Sequence, residues 1–180
     1  PEQSPYTFKG LGQDALWHLE KAVYESGLPT MTEVIEPGMV DEAADNADML
    51  EIGPDNMQNF VLLRDAGKTL KPILLHRGPS ATIDEWLMAA EYILAEGNDN
   101  VVLCERGSRG FDPRTSDTID ISAVPVDQRL SHLPVVLDPA PANGAAGRVA
   151  RLAGGGRCGG ADGRGGGAGG DGGAGGAGGG

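Results

Sequence analysis

Short apolar runs that end in charged residues alternate with amphipathic segments along this chain. The clearest unit begins with PILLHRG at residues 72–78, a predicted strand that delivers polar side chains to a loop. Thr82 and Glu85 then form a T-x-x-E capping box ahead of an amphipathic helix that Gly97 ends. A second apolar strand follows in VVLCERG at residues 101–107. Two strands joined by one helix in so few residues are expected to lie parallel.

The remaining segments continue this alternation. In chain order they are a loop at Pro1 to Gly12, a helix from Asp14, a strand at Thr30 to Val34, a weak helix at Val40 to Asn46, a strand at Met49 to Ile52, a helix that Asn56 caps and that runs to Ala66, a strand at Thr118 to Val124, a short helix at Asp127 to Ser131 and a strand at Pro134 to Leu137. Six strands that alternate with helices predict an α/β fold with a parallel sheet.

Two parallel architectures fit this pattern, a doubly wound sheet and a (β/α)8 TIM-type barrel. No Gly-rich dinucleotide fingerprint follows a first strand, and charged residues recur at the carboxyl end of strand after strand. An active site assembled from several strand ends is typical of the barrel, which we therefore favour. Because a closed barrel has eight strands, we expect an incomplete barrel with about six recognisable strands.

Composition changes this picture at the C-terminal end of the chain. Residues 154–180 are mostly Gly, with Ala and scattered Arg and Asp, so they cannot offset their ordering entropy by burying side chains. We predict a partial barrel domain at residues 1–153 and a Gly/Ala-rich low-complexity tail at residues 154–180. The net charge of −12 argues against nucleic-acid and anionic membrane partners. No apolar run is long enough to span a bilayer, and a cytoplasmic location is expected.

Three arginines at two adjacent strand ends are the candidate anion site. Arg77 follows one strand, and Arg106 and Arg109 follow the next, in an otherwise acidic chain. Arginine forks suit phosphate or carboxylate. The alternative is that each arginine pairs with a neighbouring acid such as Glu105 or Asp112.

His76 is the one histidine at a predicted strand end, where it could act as an acid, a base or a metal ligand, or simply pack. The acids at strand ends that are most able to converge in space are Glu33, Glu51, Glu105 and Asp138, and structural pairing explains them equally well.

Seven segments resemble one enzyme family in order and approximate spacing. They are SPYTFKGLG at residues 4–12, TEV at 32–34, IGPDNMQNF at 52–60, RGPSATIDEWLMAAEYILAEGN at 77–98, LCERGSRGFD at 103–112, DISAVP at 120–125 and SHLPVVLDP at 131–139. The chain thereby resembles 3-deoxy-D-arabino-heptulosonate 7-phosphate (DAHP) synthases of the compact bacterial type. The resemblance covers residues 1–143 and implies the (β/α)8 barrel.

The resemblance implies a transferase of aromatic amino acid biosynthesis. Such enzymes condense phosphoenolpyruvate with erythrose 4-phosphate, using a divalent metal of the manganese type to polarise the aldehyde. Carried over by motif, Arg106 holds the phosphoenolpyruvate phosphate, and Arg77, Glu105 and Arg109 also match substrate-binding segments. The resemblance leaves a homo-oligomer open.

Several positions depart from the family pattern. His76 stands where the family has a lysine that contacts phosphoenolpyruvate, and Asp55 stands where it has a phosphate-binding arginine. The loop expected to hold erythrose 4-phosphate survives only as residues 1–4, and Pro141 replaces a metal-binding histidine. The three other metal ligands of the family have no match in the chain. We therefore expect that this chain binds no metal and is inactive as written.

Two further hypotheses follow from these departures. One is a non-catalytic barrel that associates with an active synthase. The other is a different anion-binding function in which His76 is a base and Asp55 orients it.

Overall fold

The alternating pattern forms strands and helices in a computed structural model that describes residues 18, 21, 23–112, 117–139 and 163–164. Its labelled elements are β1 (Met31–Glu33), α1 (Val40–Asn46), β2 (Met49–Ile52), α2 (Phe60–Lys68), β3 (Ile73–His76), α3 (Ile83–Leu94), β4 (Val101–Glu105), β5 (Ser108–Arg109), β6 (Asp117–Thr118), α4 (Ala123–Leu130), β7 (Val135–Leu137) and β8 (Gly163–Arg164). Residues 23–26 are also helical, and short 3₁₀ turns occupy Pro37–Met39 and Pro54–Asn56.

Six of the strands form one sheet in the order β1-β2-β3-β4-β7-β8, and every neighbouring pair in it is parallel. Strands that are consecutive in the chain therefore lie side by side from β1 to β4, each pair joined through helical turns. The predicted parallel sheet is confirmed. A separate antiparallel ribbon of β5 and β6 follows β4 and lies outside this sheet.

Alternate residues of the strands face two different environments, because successive side chains point to opposite sides of a sheet. One side packs against the helices and supplies the core. Its strand members are Leu50, Ile52, Ile73, Leu75, Val101, Leu103, Val135 and Leu137, which cluster with Leu62, Leu63, Trp86, Ala90 and Ile93 of the helices. We call this the helix side. The opposite face carries the side chains of Glu33, Glu51, His76 and Cys104, which we call the inner face.

Two polar anchors fix the unit that links β3 to β4. The Trp86 indole Nε1 donates to the Leu75 carbonyl at 3.2 Å, so the largest core side chain has its one polar atom satisfied. Asn98 is fully buried and donates to the Lys71 carbonyl at 2.7 Å, while its own oxygen accepts from Asn100 N. Gly97 has φ +89°, the left-handed conformation that the predicted helix end requires.

The predicted capping box at the start of α3 is confirmed. Glu85 N donates to Thr82 Oγ1 at 3.2 Å, and Thr82 N donates to Glu85 Oε2 at 2.7 Å. Replacing Thr82 with Ala is expected to lower the free energy of unfolding by about 1 kcal/mol, because a backbone N–H of the first turn loses its acceptor. Urea denaturation measures the loss. Ser80→Ala, an exposed hydroxyl two residues earlier, is the control, and equal losses in the two variants would count against the cap.

Two predicted boundaries were wrong. The strand expected at Thr118 to Val124 is mostly absent: only β6 is extended there, and α4 begins at Ala123. Pro125 lies in the first turn of α4, a position where proline is compatible with a helix. The second error concerns the cap of α2, which is Asn59 and not Asn56, since the Asn59 side chain accepts from Leu62 N.

The loop predicted at residues 1–12, the first turns of the helix from Asp14 and nearly all of the Gly-rich tail lie outside the described residues. The division into two domains therefore stays a prediction. Among the helices that the structure describes, none is both long and apolar enough to cross a membrane.

Candidate functional site

Charged side chains from several strands meet at the carboxyl edge of the inner face. Glu33 on β1 and Glu51 on β2 are register partners, so the parallel pairing places their carboxylates side by side. His76 is the last residue of β3 and lies on the same face as Glu51. A Cβ at position 53 would overlap the Glu33 carboxylate, so Gly53 lets that side chain reach across the end of β2. The edge is therefore crowded with ionisable groups.

Among the described residues, His76 and Glu51 form the closest contact between ionisable side chains at this edge. His76 Nε2 lies 2.7 Å from Glu51 Oε1, and the His76 side chain is only 3% exposed. The distance suits an ion pair, but the approach is off the direction of a linear N–H···O hydrogen bond, and Nδ1 has no hydrogen-bond partner within the described residues. Contact with the imidazole lowers the pKa of Glu51 against the opposing effect of burial. The structure therefore pairs His76 with Glu51 and not with Asp55.

Arg106 supplies the cation of the inner face. It is partly exposed, and no acid among the described residues lies within ion-pair distance of its guanidinium. Its charge nonetheless reaches both neighbouring carboxylates and favours their ionised forms. Partial desolvation and the nearby Glu51 charge outweigh that effect at Glu33 and raise the pKa of its carboxyl group. Among the described residues, Arg106 is therefore a guanidinium that is surrounded by acids but has no carboxylate within ion-pair distance.

Arg77 and Glu105 lie elsewhere, in a buried pair on the helix side. Arg77 Nη1 is 2.8 Å from Glu105 Oε2, and Glu105 is fully buried. The second oxygen of Glu105 accepts from Gly107 N at 2.7 Å, and Arg77 Nε donates to the Ala81 carbonyl at 3.0 Å. This pair ties the loop after β3 to the end of β4. The sequence left open whether Arg77 binds an anion or pairs with an acid, and the structure shows that it pairs with Glu105. A direct role of Arg77 or Glu105 in substrate binding stays a prediction.

Two further acids surround Arg77 on the helix side. Asp120 Oδ2 is 3.7 Å from Arg77 Nη1. Asp127 of α4 is fully buried, and neither of its oxygens has a hydrogen-bond partner in the described part of the chain. Burial raises the pKa of Asp127 to about 6, although the Arg77 charge acts in the opposite direction. Arg77 thus faces three carboxylates. Of these, Asp127 is the one whose oxygens have no hydrogen-bond partner within the described residues.

Asp55 and Arg109 stand at the rim rather than in the centre. Asp55 is exposed in the 3₁₀ turn after β2, and its charge helps raise the pKa of Glu33. It also lines a cleft of about 290 Å³ between the loops after β2 and β3, together with Glu85. Arg109 is exposed on β5, where its backbone N donates to the Pro79 carbonyl. The predicted site residues therefore divide between an inner face, a buried pair and a rim.

The divalent metal that the resemblance implies, and its expected absence from this chain, both stay predictions. Within the part of the chain that the structure describes, no three side chains of His, Cys, Asp or Glu come together as a metal site. The metal-ligand position Pro141 and residues 1–4 lie outside the described ranges.

The sequence did not single out two residues that the structure places in these clusters, Glu51 and Asp127. Glu51 was one of four strand-end acids, and only the parallel register shows that it is the one beside His76. Asp127 had been assigned to the start of a helix. In α4 it lies four residues after Ala123, which is buried, so a helix starting at Ala123 would have indicated a carboxylate on the buried face.

A parallel sheet whose strands lie in chain order, with ionisable groups at its carboxyl edge, is typical of the class of (β/α) barrel proteins whose sites lie at the strand ends. The model of the DAHP synthetase I family matches residues 1–163, and the chain belongs to this family. The crystal structure of the DAHP synthase of Thermotoga maritima superposes with a TM-score of 0.85 at 42% identity, covering 89% of this chain and 48% of that one. The barrel prediction is confirmed, and the structure describes part of such a barrel.

Two curated relatives agree with this assignment. Phospho-2-dehydro-3-deoxyheptonate aldolase of Thermotoga maritima is 45% identical over 144 residues, which are 80% of this chain and 43% of the relative. The 2-dehydro-3-deoxyphosphooctonate aldolase of Magnetococcus marinus is 28% identical over 153 residues, covering 84% of this chain and 52% of the relative. The chain spans about half the length of the curated relatives it matches.

Proposed function

We propose that the protein binds phosphoenolpyruvate, or a phosphorylated carboxylate like it, at the inner face beside Arg106, weakly at neutral pH, and that this chain does not catalyse the DAHP synthase condensation. The observation that carries the binding proposal is the Arg106 guanidinium, which has no carboxylate within ion-pair distance among the described residues. Arginine presents a planar fork that matches phosphate or carboxylate oxygens.

Weak binding follows from the charges around that arginine. Glu33, Glu51 and Asp55 all act at the same edge, and each repels an anion. The active relatives of this family condense two phosphorylated substrates, and an edge with this excess of acids is poorly suited to hold both in reacting geometry. A non-catalytic role beside an active synthase stays a prediction.

Isothermal titration calorimetry with phosphoenolpyruvate at neutral pH tests the binding, and a coupled assay with erythrose 4-phosphate and manganese tests the catalysis. We expect an affinity no tighter than about millimolar, which corresponds to about −4 kcal/mol, and no heptulosonate formation above background. Micromolar binding, or turnover that scales with the concentration of the chain, would overturn the proposal.

Asp55→Arg is expected to strengthen phosphoenolpyruvate binding by about tenfold or more, because it replaces an exposed repelling charge at the rim with an attracting one. The measurement is the same titration, repeated at high salt, where the gain should shrink. Asp84→Arg on the exposed first turn of α3 makes the same change in net charge outside the edge, and it is the matched control. An equal gain in both variants would show a general charge effect and no site at the edge.

A further inference from the structure

The contact between His76 and Glu51 joins a buried imidazole to a partly exposed carboxylate. His76 is 3% exposed and stands at the end of a strand whose other residues are fully apolar, while the Glu51 side chain is 26% exposed. The pair is therefore open to solvent only through its carboxylate. His76 Nε2 lies 2.7 Å from Glu51 Oε1, and neither ring nitrogen makes a hydrogen bond of regular geometry within the described ranges, so proximity to the carboxylate is what the imidazole has.

Ionisable groups face the pair from every neighbouring element. They are Glu33 from β1, Asp55 from the turn after β2, Cys104 from β4, Arg106 from the loop after β4 and Asp138 from the end of β7. Burial raises the pKa of the Cys104 thiol, so this register partner of His76 stays neutral. Arg106 is thus the one permanent cation in this set, and the carboxylates outnumber it.

We propose that the His76 and Glu51 pair makes anion binding at the inner face proton-linked, with Glu51 as the positioning residue that holds the imidazole beside the anion site of Arg106. This inference rests on the proposed function and adds its regulation. A bound anion adds negative charge to an edge already rich in carboxylates, and the group best placed to take up a compensating proton is the imidazole. Protonated His76 then joins Arg106 as a second cation.

The linkage has a definite sign. Imidazole gains its charge as the pH falls through the neutral range, so anion affinity is expected to rise as the pH falls. One linked proton changes the affinity by at most about tenfold per pH unit. A lysine at position 76 would keep its charge throughout this range and would show no such dependence.

The test compares the parent protein with Glu51→Gln, which keeps the shape of the side chain and removes its charge. Sulfate and phosphoenolpyruvate are titrated separately between about pH 6 and about pH 8, the range in which histidine changes charge. Sulfate is included because its own charge is constant there, whereas a phosphate monoester titrates near pH 6. Proton uptake is measured by repeating each titration in two buffers of different ionisation enthalpy.

In the parent protein we expect the affinity for sulfate to rise several-fold from about pH 8 to about pH 6, with uptake of up to one proton. In Glu51→Gln we expect tighter binding at the alkaline end, because a repelling carboxylate is gone, and a flatter pH dependence, because the imidazole has lost its fixed partner. An unchanged pH dependence in the variant overturns the inference. His76→Gln, whose side chain does not titrate, is the second variant, and circular dichroism checks that both fold.

The two proposals fail in different ways. Phosphoenolpyruvate binding that is independent of pH overturns the linkage and leaves the proposed function standing. Proton-linked sulfate binding without phosphoenolpyruvate binding overturns the proposed function and supports the linkage for anions in general. Absence of binding by either anion overturns both.

Discussion

Replacing Arg77 with Met is expected to destabilise the fold by about 3 to 5 kcal/mol, the range found when one partner of a buried ion pair is removed. Arg77 Nη1 lies 2.8 Å from Glu105 Oε2, and Glu105 is fully buried. The methionine side chain retains much of the packing volume, so the loss isolates the carboxylate left without its cation. Chemical denaturation at neutral pH measures it, and the variant is expected to unfold at a much lower urea concentration.

The chain offers a matched control for this prediction. Lys68 Nζ and Asp65 Oδ1 are also 2.8 Å apart, but the Lys68 side chain is 59% exposed. Lys68→Met removes a cation from an ion pair of the same length in solvent, where screening by water leaves such pairs with little effect on stability. Equal losses in Arg77→Met and Lys68→Met would mean that burial of Glu105 does not govern the effect.

Asp127→Asn is expected to stabilise the protein by about 2 to 3 kcal/mol at alkaline pH and by much less at about pH 4, taking 1.36 kcal/mol per unit of pKa change. Burial raises the pKa of Asp127 from 3.8 to about 6. A carboxyl group with a raised pKa contributes its full stability below the pKa of the unfolded chain, and that contribution is lost as the pH rises through the folded value. The asparagine variant stays neutral and escapes this loss.

Urea denaturation at about pH 4, 6 and 8 gives the free energy of unfolding of the parent and of the variant. Subtracting one from the other cancels the contributions of titratable groups that both proteins contain. Asp84→Asn, on an exposed turn of α3, is the control and is expected to change stability by less than about 0.5 kcal/mol. A difference between parent and Asp127→Asn that is the same at every pH would contradict the assignment, because a constant offset reports lost packing and not titration.

The parts of the fold that depend on near neighbours could be predicted from the sequence. The strand at Met49 to Ile52 and the capping box at Thr82 are determined by residues within a few positions of each other, and both are confirmed. The prediction for residues 118–130 was wrong because the hydrophobic pattern there is weak and Pro125 is compatible with both a strand end and the first turn of a helix. A boundary of this kind is decided by packing against the sheet.

The candidate site shows the same division. That charged groups gather at strand ends could be predicted, since the pattern places them there. Which of them pair could not be, because the partners are 25 to 28 positions apart and depend on the register and on the face of each strand. Glu105 and Arg106 are adjacent in sequence and were grouped together, yet one is buried on the helix side and the other acts on the inner face.

Glu105 and Arg106 share one peptide unit, so the position of the guanidinium depends on how firmly the buried pair holds the end of β4. Any anion that binds only when Arg106 is correctly placed also favours the intact pair, and it therefore raises the unfolding free energy according to its concentration and affinity. For such an anion, binding and fold stability are coupled through the peptide unit that joins Glu105 to Arg106.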